Sequence, residues 1–281
     1  MTHLIDGTAI AAKGLAAVAA AAATLRENGV EPTLAVVQPT ANRSGAVHVD
    51  AIREAAEQAG VALRVHELSG PRPGEIEDQL AALSGDPDVH GIVCQTPLPH
   101  GVRLVDVAVR IDPAKDVDGA NPLSLGRLVC GLPAYPPSAA AAVLEVLRHE
   151  RVPLEGRRAV VVGRSLVAGR PAALLLLAEH ATVTVCHSRT ADLPAACREA
   201  DVLVVATGRP GLVGADHVRD GAVVIDVGAN PGPDGRLTGD VDTEAAGRHA
   251  ERITPVPGGV GPVTTIVLLR HTVAAAGGTF E

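Results

Sequence analysis

Three loops rich in proline and glycine carry the side chains whose types and spacing best suit chemistry. They read QTPLPHG (95–101), PAKDVDGANP (113–122) and TPVPGGVGPVTT (254–265). Gln95 directly follows an apolar, strand-like run, and ligands of open α/β proteins bind at the carboxyl ends of strands. Asp118 lies in the second loop, two residues after Asp116. Each loop alone could be a structural turn, but the three together indicate a substrate site whose backbone is held in one shape by proline and glycine.

A histidine on the predicted helix SGAVHVDAIREAAEQAG (44–60) is a further candidate. Ala, Val and Ile recur there at helical spacing, and Gly60 predicts the end of the helix. His48 and Ile52 are four residues apart and therefore share one face. An imidazole suits acid–base catalysis, but a lone histidine on an apolar face is more often a packed core residue. These residues alone leave both interpretations open.

The segment RRAVVVGRSLVAGRPAALLLLAEHATVTVCHSRT (157–190) predicts a strand, a tight turn, a helix and a second strand. The turn begins Gly163-Arg164-Ser165, so Ser165 replaces the second glycine of the usual dinucleotide fingerprint. Because the turn follows a strand and opens a helix, its backbone N–H groups and the positive helix end would face a phosphate. A plain turn between strand and helix is the alternative interpretation of this motif by itself.

The end of the second strand indicates which dinucleotide would bind. NAD sites usually place an acidic residue there, but this strand runs into His187, Ser188 and Arg189. Ser188, Arg189 and Arg164 could instead hold a 2′-phosphate, because arginine offers a two-pronged donor to phosphate. The pattern favours NADP, with NAD as a possible alternative.

Composition excludes several other classes of function. The chain has 281 residues with a net charge of −8, which disfavours nucleic acid as a partner. One Phe, one Tyr and no Trp leave an aliphatic core, and Lys13 and Lys115 are the only lysines. The longest apolar run near the N-terminus, GLAAVAAAAATL, is too short to span a membrane.

Cysteine usage and the N-terminus predict a cytoplasmic protein. Cys94, Cys130, Cys186 and Cys197 show no CxxC spacing, so we expect buried free thiols in a reducing compartment and no metal site. The N-terminus lacks a basic stretch followed by an apolar one, so we expect no signal peptide.

Apolar runs of strand length alternate with segments of helix length. The predicted strands cover 33–38, 62–68, 91–95, 158–163, 181–186, 201–206 and 222–228. Such runs are typical of parallel strands covered on both faces, so the predicted class is α/β, with two α/β domains and a cleft between them. We predict a substrate (catalytic) domain over 1–138 plus 262–281 and a Rossmann-like dinucleotide-binding domain over 139–261.

Taken together, these motifs closely resemble the methylenetetrahydrofolate dehydrogenase/cyclohydrolase family. The matching stretches run in the family's order across essentially the whole chain: LIDGTAIA, GIVCQTPLPHGV, PAKDVDGANPLSLGRL, VVVGRSLVAGRPAALLLL, TVTVCHSRT, ADVLVVATGRPGLV, GAVVIDVGAN and ITPVPGGVGPVTT. The resemblance implies a two-domain fold, NADP or NAD as cofactor, a tetrahydrofolate derivative as substrate and a homodimer.

The resemblance also implies roles for individual residues. Gln95 matches the family's active-site glutamine, and Asp118 matches its folate-binding aspartate. The other residues assigned to the folate side are Pro97, Leu98, Pro99, Pro257, Gly258 and Gly259. Those assigned to the cofactor side are Gly163, Arg164, Ser165, Ser188, Arg189, Thr207, Gly208, Ala229 and Thr264.

The chain departs from the family on the helix at 44–60. The family has the pattern S-x-x-Y-V-x-x-K there, with a tyrosine and a catalytic lysine four residues apart. With Gly60 setting the register, Ser44 lies at or near the serine, His48 takes the tyrosine position and Ile52 takes the lysine position. Two further departures are PSAAAA at 137–142, where the family has P-C-T-P-x-G, and Val263 for the usual methionine.

The loss of the lysine should divide the family's two activities. Transfer of a hydride from the methylene bridge removes no proton, whereas hydrolysis of the methenyl product needs an acid–base group. We therefore expect dehydrogenation to survive and cyclohydrolase activity to be weak or lost, unless His48 acts as the base. The alternatives are an enzyme of this fold redirected to another folate-like substrate, and a catalytically silent folate-binding paralogue.

Overall fold

The computed structural model describes residues 2–40, 43–68, 70–72, 74–232 and 236–280, with only the backbone described for 43 and 44. Its strands are β1 (His3–Leu4), β2 (Thr33–Gln38), β3 (Ala62–Glu67), β4 (Gly91–Cys94), β5 (Arg158–Val162), β6 (Thr182–Cys186), β7 (Val202–Val205), β8 (Val223–Asp226), β9 (Asn230–Pro231), β10 (Leu237–Thr238) and β11 (Arg252–Ile253). Its helices are α1 (Gly7–Glu27), α2 (Arg43–Ala59), α3 (Glu75–Gly85), α4 (Leu104–Val107), α5 (Pro122–Val129), α6 (Ser138–His149), α7 (Gly169–Ala178), α8 (Leu193–Arg198), α9 (Thr243–Ala246) and α10 (Val260–Ala275). All seven predicted strands are present, with ends within two residues of the prediction.

The chain divides into two compact units. Unit 1 contains Met1–Ala11 and Ala139–Thr264, and unit 2 contains Ala12–Ser138 and Thr265–Glu281. The boundary after Ser138 coincides with the predicted one, but residues up to Ala11 and residues 262–264 fall in unit 1 instead of the predicted substrate domain. The N-terminal difference arises because β1 pairs in parallel with β11 of unit 1. A strand of two residues leaves no periodic pattern in the sequence.

Unit 1 is built on a six-stranded parallel sheet in the order β1-β11-β8-β7-β5-β6. The central strands β7 and β8 are buried along their whole length, as their unbroken apolar runs predict. Val160, Leu203 and Val224 on neighbouring strands belong to one aliphatic cluster. The sheet therefore presents the carboxyl ends of its parallel strands along one edge, where the loops after β5, β6, β7, β8 and β11 begin.

Unit 2 contains a three-stranded parallel sheet in the order β3-β2-β4. Central strand β2 is buried at all six residues. Ala35 and Val37 of β2 and Ile92 of β4 share a cluster with Ile76 and Leu80 of α3. Because the strands are parallel, the loops after β2 and β4 leave the sheet at the same end. The loop after β2 leads into α2, and the loop after β4 begins with Gln95.

Two expectations from composition need correction. Helix α1 has 21 residues, longer than the apolar run on which the sequence argument rested, and by length and composition it could cross a membrane. Its residues Ile10, Val18 and Leu25 are buried, but only 28% of its apolar window is buried inside the protein. Of the four cysteines, all free, three are buried as expected and Cys130 is exposed, because it lies at the solvent-facing end of α5.

Candidate functional site

The turn between β5 and α7 has the close backbone packing of a dinucleotide-binding turn. Gly163 has φ 123°, and a Cβ atom there would lie 2.0 Å from the carbonyl oxygen of Ala206. A Cβ atom on Gly169 would lie 2.2 Å from the carbonyl oxygen of Gly163, so neither position admits a side chain. The Ser165 hydroxyl accepts hydrogen bonds from the N–H groups of Ala168 and Gly169, at 3.2 and 3.4 Å, which leaves its own proton free to donate.

The predicted 2′-phosphate ligands lie at the carboxyl ends of two adjacent strands. Arg164 follows β5, and Ser188 and Arg189 follow β6, its neighbour in the sheet; all three are exposed. His187 holds the second loop in shape, because its N–H donates to the Thr190 hydroxyl at 2.9 Å and its Nδ1 accepts from the Arg189 N–H at 3.1 Å. Together with the turn after β5, these residues fit a phosphorylated dinucleotide.

Two other predicted cofactor residues, Thr207 and Gly208, have backbone N–H groups that already form hydrogen bonds within the protein. The N–H groups of Thr207 and Gly208, just after β7, both donate to Oδ2 of Asp240, at 2.5 and 3.0 Å. Their backbone donors are therefore used within the protein. The Thr207 hydroxyl accepts from the Arg209 N–H at 3.2 Å, which leaves its own proton free to donate. Ala229 is exposed after β8, at the same end of the sheet.

The Pro/Gly loop that precedes α10 is closely packed within unit 1. A Cβ atom on Gly259 would lie 2.4 Å from the Pro255 carbonyl oxygen, and one on Gly7 would lie 1.7 Å from the Gly259 carbonyl oxygen. Gly258 has φ 96°, and the bond before Pro257 is cis. Thr264, one turn into α10, donates its hydroxyl to the Val260 carbonyl at 3.1 Å.

In unit 2, Gln95 is a buried amide without a partner. It directly follows β4 and is 6% exposed, and neither its Oε1 nor its Nε2 has a hydrogen-bond partner among the described residues. Leaving a buried polar group unpaired costs about 1–3 kcal/mol. The cis bond Thr96–Pro97 follows, and the Thr40 hydroxyl donates to the Pro97 carbonyl, which fastens the loop that includes Leu98 and Pro99.

The Asp118 carboxylate has only one of its two oxygens in hydrogen bonds within the protein. Its Oδ1 accepts from both the N–H and the hydroxyl of Ser138, the first residue of α6, at 3.1 and 2.5 Å. Its Oδ2 has no partner within the described part of the chain. Burial raises the pKa of Asp118, and the two bonds from Ser138 oppose that rise. Asp118 therefore keeps one oxygen available to a ligand that donates hydrogen bonds.

The two candidate residues of helix α2, Ile52 and His48, differ in burial. Ile52 is 0% exposed and belongs to the core. His48, one turn earlier, is half-buried and has no hydrogen-bond partner among the described residues; burial lowers its pKa, so the imidazole is neutral at physiological pH. The side chain of Ser44 lies outside what the structure describes.

Neither lysine is placed to replace the missing amine. Lys13 is exposed on α1, and the Lys115 ammonium donates to the Asp86 carbonyl at 2.6 Å. Lys115 thus fastens the loop before β4 and acts as a structural residue.

Sequence analysis missed three residues around the site. Asp226 and Asp240 are buried carboxylates that bind backbone N–H groups at the ends of β7 and β8, and Ser138 holds Asp118. The only available signals were the flanking glycines in DVG (226–228) and GD (239–240), because long-range hydrogen bonds leave no local periodicity.

The chain matches two models of one protein family. The model of the tetrahydrofolate dehydrogenase/cyclohydrolase catalytic domain matches residues 5–118, and that of the NAD(P)-binding domain matches residues 137–279. The chain is 56% identical over 276 residues to "Bifunctional protein FolD" of Parafrankia sp. (strain EAN1pec), covering 98% of this chain and 100% of that protein.

Two solved structures are similar over almost the whole chain. The FolD methylenetetrahydrofolate dehydrogenase/cyclohydrolase from Campylobacter jejuni has a TM-score of 0.94 and 37% identity, covering 99% of each chain. The Trypanosoma brucei enzyme complexed with NADP cofactor and inhibitor has a TM-score of 0.93 and 37% identity, covering 98% of this chain and 97% of that one. The chain therefore belongs to the tetrahydrofolate dehydrogenase/cyclohydrolase family of NAD(P)-dependent oxidoreductases in folate one-carbon metabolism.

Proposed function

We propose that this chain is an NADP-dependent methylenetetrahydrofolate dehydrogenase whose cyclohydrolase activity is weak or lost. The observation that carries the proposal is the wholly buried Ile52 on α2, at the position that the family's pattern gives to a catalytic lysine. A hydrocarbon side chain neither accepts nor donates a proton. Lys13 is exposed on α1 and Lys115 is engaged with Asp86, so neither supplies an amine in its place.

On the cofactor side, we assign the dinucleotide to the loops at the carboxyl ends of β5 to β8. Gly163 and Ser165 would admit the pyrophosphate, and Arg164, Ser188 and Arg189 would pair with the 2′-phosphate. Bound NADP supplies the nicotinamide carbon that accepts a hydride. The remaining assigned contacts are Thr207, Gly208, Ala229 and Thr264.

On the folate side, the available polar atoms match a ring that both donates and accepts hydrogen bonds. The free Oδ2 of Asp118 would accept from a ring N–H or amino group. The Gln95 amide would donate through Nε2 and accept through Oε1, which would satisfy both of its buried atoms. We assign the walls of the site to Pro97, Leu98, Pro99, Pro257, Gly258 and Gly259.

The oxidation needs little from the protein beyond holding the folate and nicotinamide rings in place. One C–H bond of the methylene bridge breaks, and the hydrogen leaves with the electron pair for the nicotinamide. The remaining carbon cation is delocalised over its two flanking nitrogens. No proton is removed, so groups that hold the two rings in contact supply most of the catalysis.

Hydrolysis of the methenyl product makes a different demand. Water adds to the methenyl carbon and loses both of its protons as that carbon becomes a formyl group. One proton goes to the ring nitrogen whose bond to the carbon breaks, and the other is released. A positioned acid–base group contributes roughly 10²–10⁴-fold to such a step. His48 is the remaining candidate on α2, because its imidazole is neutral and free to accept a proton, but it stands one turn from the lysine position.

The test follows both steps in one cuvette. Purified protein is given methylenetetrahydrofolate with NADP or NAD, and reduced nicotinamide and methenyl absorbance are recorded together. We expect reduction with NADP and one persistent methenyl group per hydride. Methenyl decay above the buffer rate would contradict the loss of cyclohydrolase activity, and His48→Gln, with exposed His149→Gln as control, would show whether His48 causes it.

The converse experiment restores the missing amine. We expect Ile52→Lys combined with His48→Tyr to speed methenyl hydrolysis, with lowered stability because a cation replaces a wholly buried hydrocarbon. Ile52→Leu combined with the same His48→Tyr change is the control and should leave hydrolysis at the buffer rate.

Two alternatives predict other outcomes of the same assay. A redirected enzyme would reduce NADP only with another folate-like substrate. A silent paralogue would bind folate and reduce neither cofactor. The closely packed glycines of the turn after β5 and the unpartnered Gln95 amide favour a working dehydrogenase over both alternatives.

We also propose a cytoplasmic homodimer that binds neither nucleic acid nor membrane. The net charge of −8 supports the absence of nucleic acid, and the exposed edge strand β6, with Val185 and nearby Leu177 of α7 also exposed, supports a partner along that edge. Sedimentation of the wild type and Val185→Lys would test this: a monomer in both would contradict the dimer.

A further inference from the structure

We propose that Asp226 and Asp240 are positioning residues of the cofactor site. Together they hold the turn after β7 and the loop after β8 in one fixed arrangement. The inference rests on the proposed placement of the dinucleotide beside Thr207 and Gly208. Neither carboxylate is expected to touch the substrate or to exchange a proton in the reaction.

Asp226 closes the loop that follows β8. It is buried at the end of that strand, and its Oδ1 accepts from the N–H groups of Gly228 and Asp240, at 2.8 and 3.1 Å. Its Oδ2 accepts from the N–H of Val241 at 2.9 Å. One carboxylate therefore binds the first residues of the loop and the residues at which the chain returns from β10.

Asp240 then joins that loop to the neighbouring strand. It is fully buried, and its Oδ2 accepts from the N–H groups of Thr207 and Gly208, just after β7. Its Oδ1 accepts from the Asn230 side chain at 2.8 Å. The order of contacts is thus the turn after β7, Asp240, Asp226 and the loop after β8.

Two glycines show how closely the backbone encloses the pair. A Cβ atom on Gly228 would lie 2.5 Å from Cγ of Asp240, and one on Gly239 would lie 1.9 Å from Oδ2 of Asp226. Neither position tolerates a side chain without moving a carboxylate. The two acids and the two glycines consequently form one packed unit.

The pair is held without a cation. Within the described residues, neither carboxylate forms an ion pair, so five backbone N–H groups and one side-chain amide carry the stabilisation. Burying two unneutralised acids side by side is unfavourable for stability. Their location at the edge of the sheet where the cofactor residues converge points to precise loop geometry as their contribution.

The replacement Asp240→Asn tests the geometry directly. Asparagine retains one oxygen, which can keep the bonds from Thr207 and Gly208 only by turning its NH₂ group toward the Asn230 NH₂ group. Two donors then face each other, and one of the two loops loses its bond. We expect the Kd for NADPH to rise about tenfold while the KM for the folate substrate stays within about twofold.

The Kd is measured by NADPH fluorescence on binding to the full chain, which needs no folate turnover; only the comparison with the folate KM needs activity. Failure of the proposed dehydrogenase activity would therefore leave this result interpretable. The control is Asp220→Asn, an exposed acid of the same unit that pairs with His249, and its Kd should not change. An unchanged Kd in folded Asp240→Asn would overturn the proposal.

A second variant covers the case in which Asp240→Asn does not fold. Asn230→Ala removes the side-chain donor to Asp240 and leaves both carboxylates in place. We expect a rise of about threefold in the Kd for NADPH with little change in melting temperature. If the Kd for NADPH and the KM for folate rose by the same factor, in proportion to the loss of folded protein, the role would be purely structural. That result would also overturn the proposal.

Discussion

The environment of Gln95 is the most direct indication of a bound ligand. Most side chains that are buried with polar atoms find partners inside the protein, as Asp116 does with the N–H groups of Ala120 and Asn121. Gln95 is also buried, but its side-chain amide has no such partner among the described residues. Its amide is a cost in the free protein that a bound molecule with matching donors and acceptors would remove.

Replacing this amide by a hydrocarbon should therefore separate stability from activity. We expect Gln95→Leu to leave the free energy of unfolding unchanged or to raise it, because an unpaired buried amide disappears. We expect kcat/KM for dehydrogenation to fall at least about 100-fold, since under the proposed assignment the reacting ring loses an orienting group. Denaturant unfolding and the NADP reduction assay measure the two effects.

The matched control is Gln79→Leu on α3. The Gln79 amide lies 3.4 Å from His66 and so has a partner to lose. It should not gain stability and should keep its dehydrogenase activity. A fall in stability of Gln95→Leu would show instead that the amide has an internal role.

At the scale of elements, the turn between β5 and α7 depends on one residue without a side chain. Gly163 lies at the end of β5 and contacts the backbone just after β7, so the two strand ends approach each other there. Its φ of 123° is a conformation that other residues rarely adopt. The same turn leads into α7, whose first N–H groups donate within the turn: Gly169 to the Ser165 hydroxyl and Arg170 to the Ser165 carbonyl.

We expect Gly163→Ala to weaken cofactor binding. The added Cβ would lie 2.0 Å from the Ala206 carbonyl oxygen, so the strand ends must separate, and the unfavourable φ adds about 1–3 kcal/mol of strain. The Kd for NADPH should rise tenfold or more, as measured by fluorescence. Gly214→Ala is the control, because its backbone is extended and the new Cβ would make an ordinary contact at 3.7 Å; its Kd should equal that of the wild type.

At the scale of the whole molecule, each unit contains a buried titratable group. In unit 1, burial raises the pKa of Asp226 to about 6, with the Asp240 charge adding to the rise and three backbone N–H groups opposing it. In unit 2, burial lowers the pKa of His271 to about 4, assisted by the Arg270 charge. The His271 ring packs on Tyr135 and donates through Nδ1 to the Val117 carbonyl at 2.9 Å.

These two shifts should have opposite effects on the pH dependence of stability. Between its unfolded value of 3.8 and about 6, Asp226 binds more proton in the folded state, so its contribution to the free energy of unfolding falls as pH rises. Between about 4 and its unfolded value of 6.5, His271 binds more proton in the unfolded state, so its contribution rises with pH.

Denaturant unfolding of two variants across pH 4 to 6.5 separates the contributions. The stability of the wild type relative to His271→Asn should increase with pH, because asparagine can still donate to Val117 but does not titrate. The stability of the wild type relative to Asp226→Asn should decrease with pH. Parallel curves for either pair would contradict the corresponding shift.

The elements that were predicted well are those with a strong local pattern. Apolar runs such as those of β2 and β7 appear as strands because a parallel strand covered on both faces needs a hydrocarbon at nearly every position. Helix α2 ends at Ala59, and Gly60 follows with φ 66°, as its glycine predicts. Strands β1 and β11 were not predicted, because two residues paired across 249 positions have no local signature.

The sequence by itself determined the fold class, the strand-turn-helix pattern after β5 and the absence of a lysine from α2, because residue identity and short-range spacing are enough for these. Only the tertiary structure decided that Ile52 is wholly buried, that Gln95 lacks a partner, that Ser138 occupies one oxygen of Asp118 and that residues 1–11 join unit 1. Burial and hydrogen-bond partnership are set by segments far apart in the chain, and they become defined only when those segments pack together.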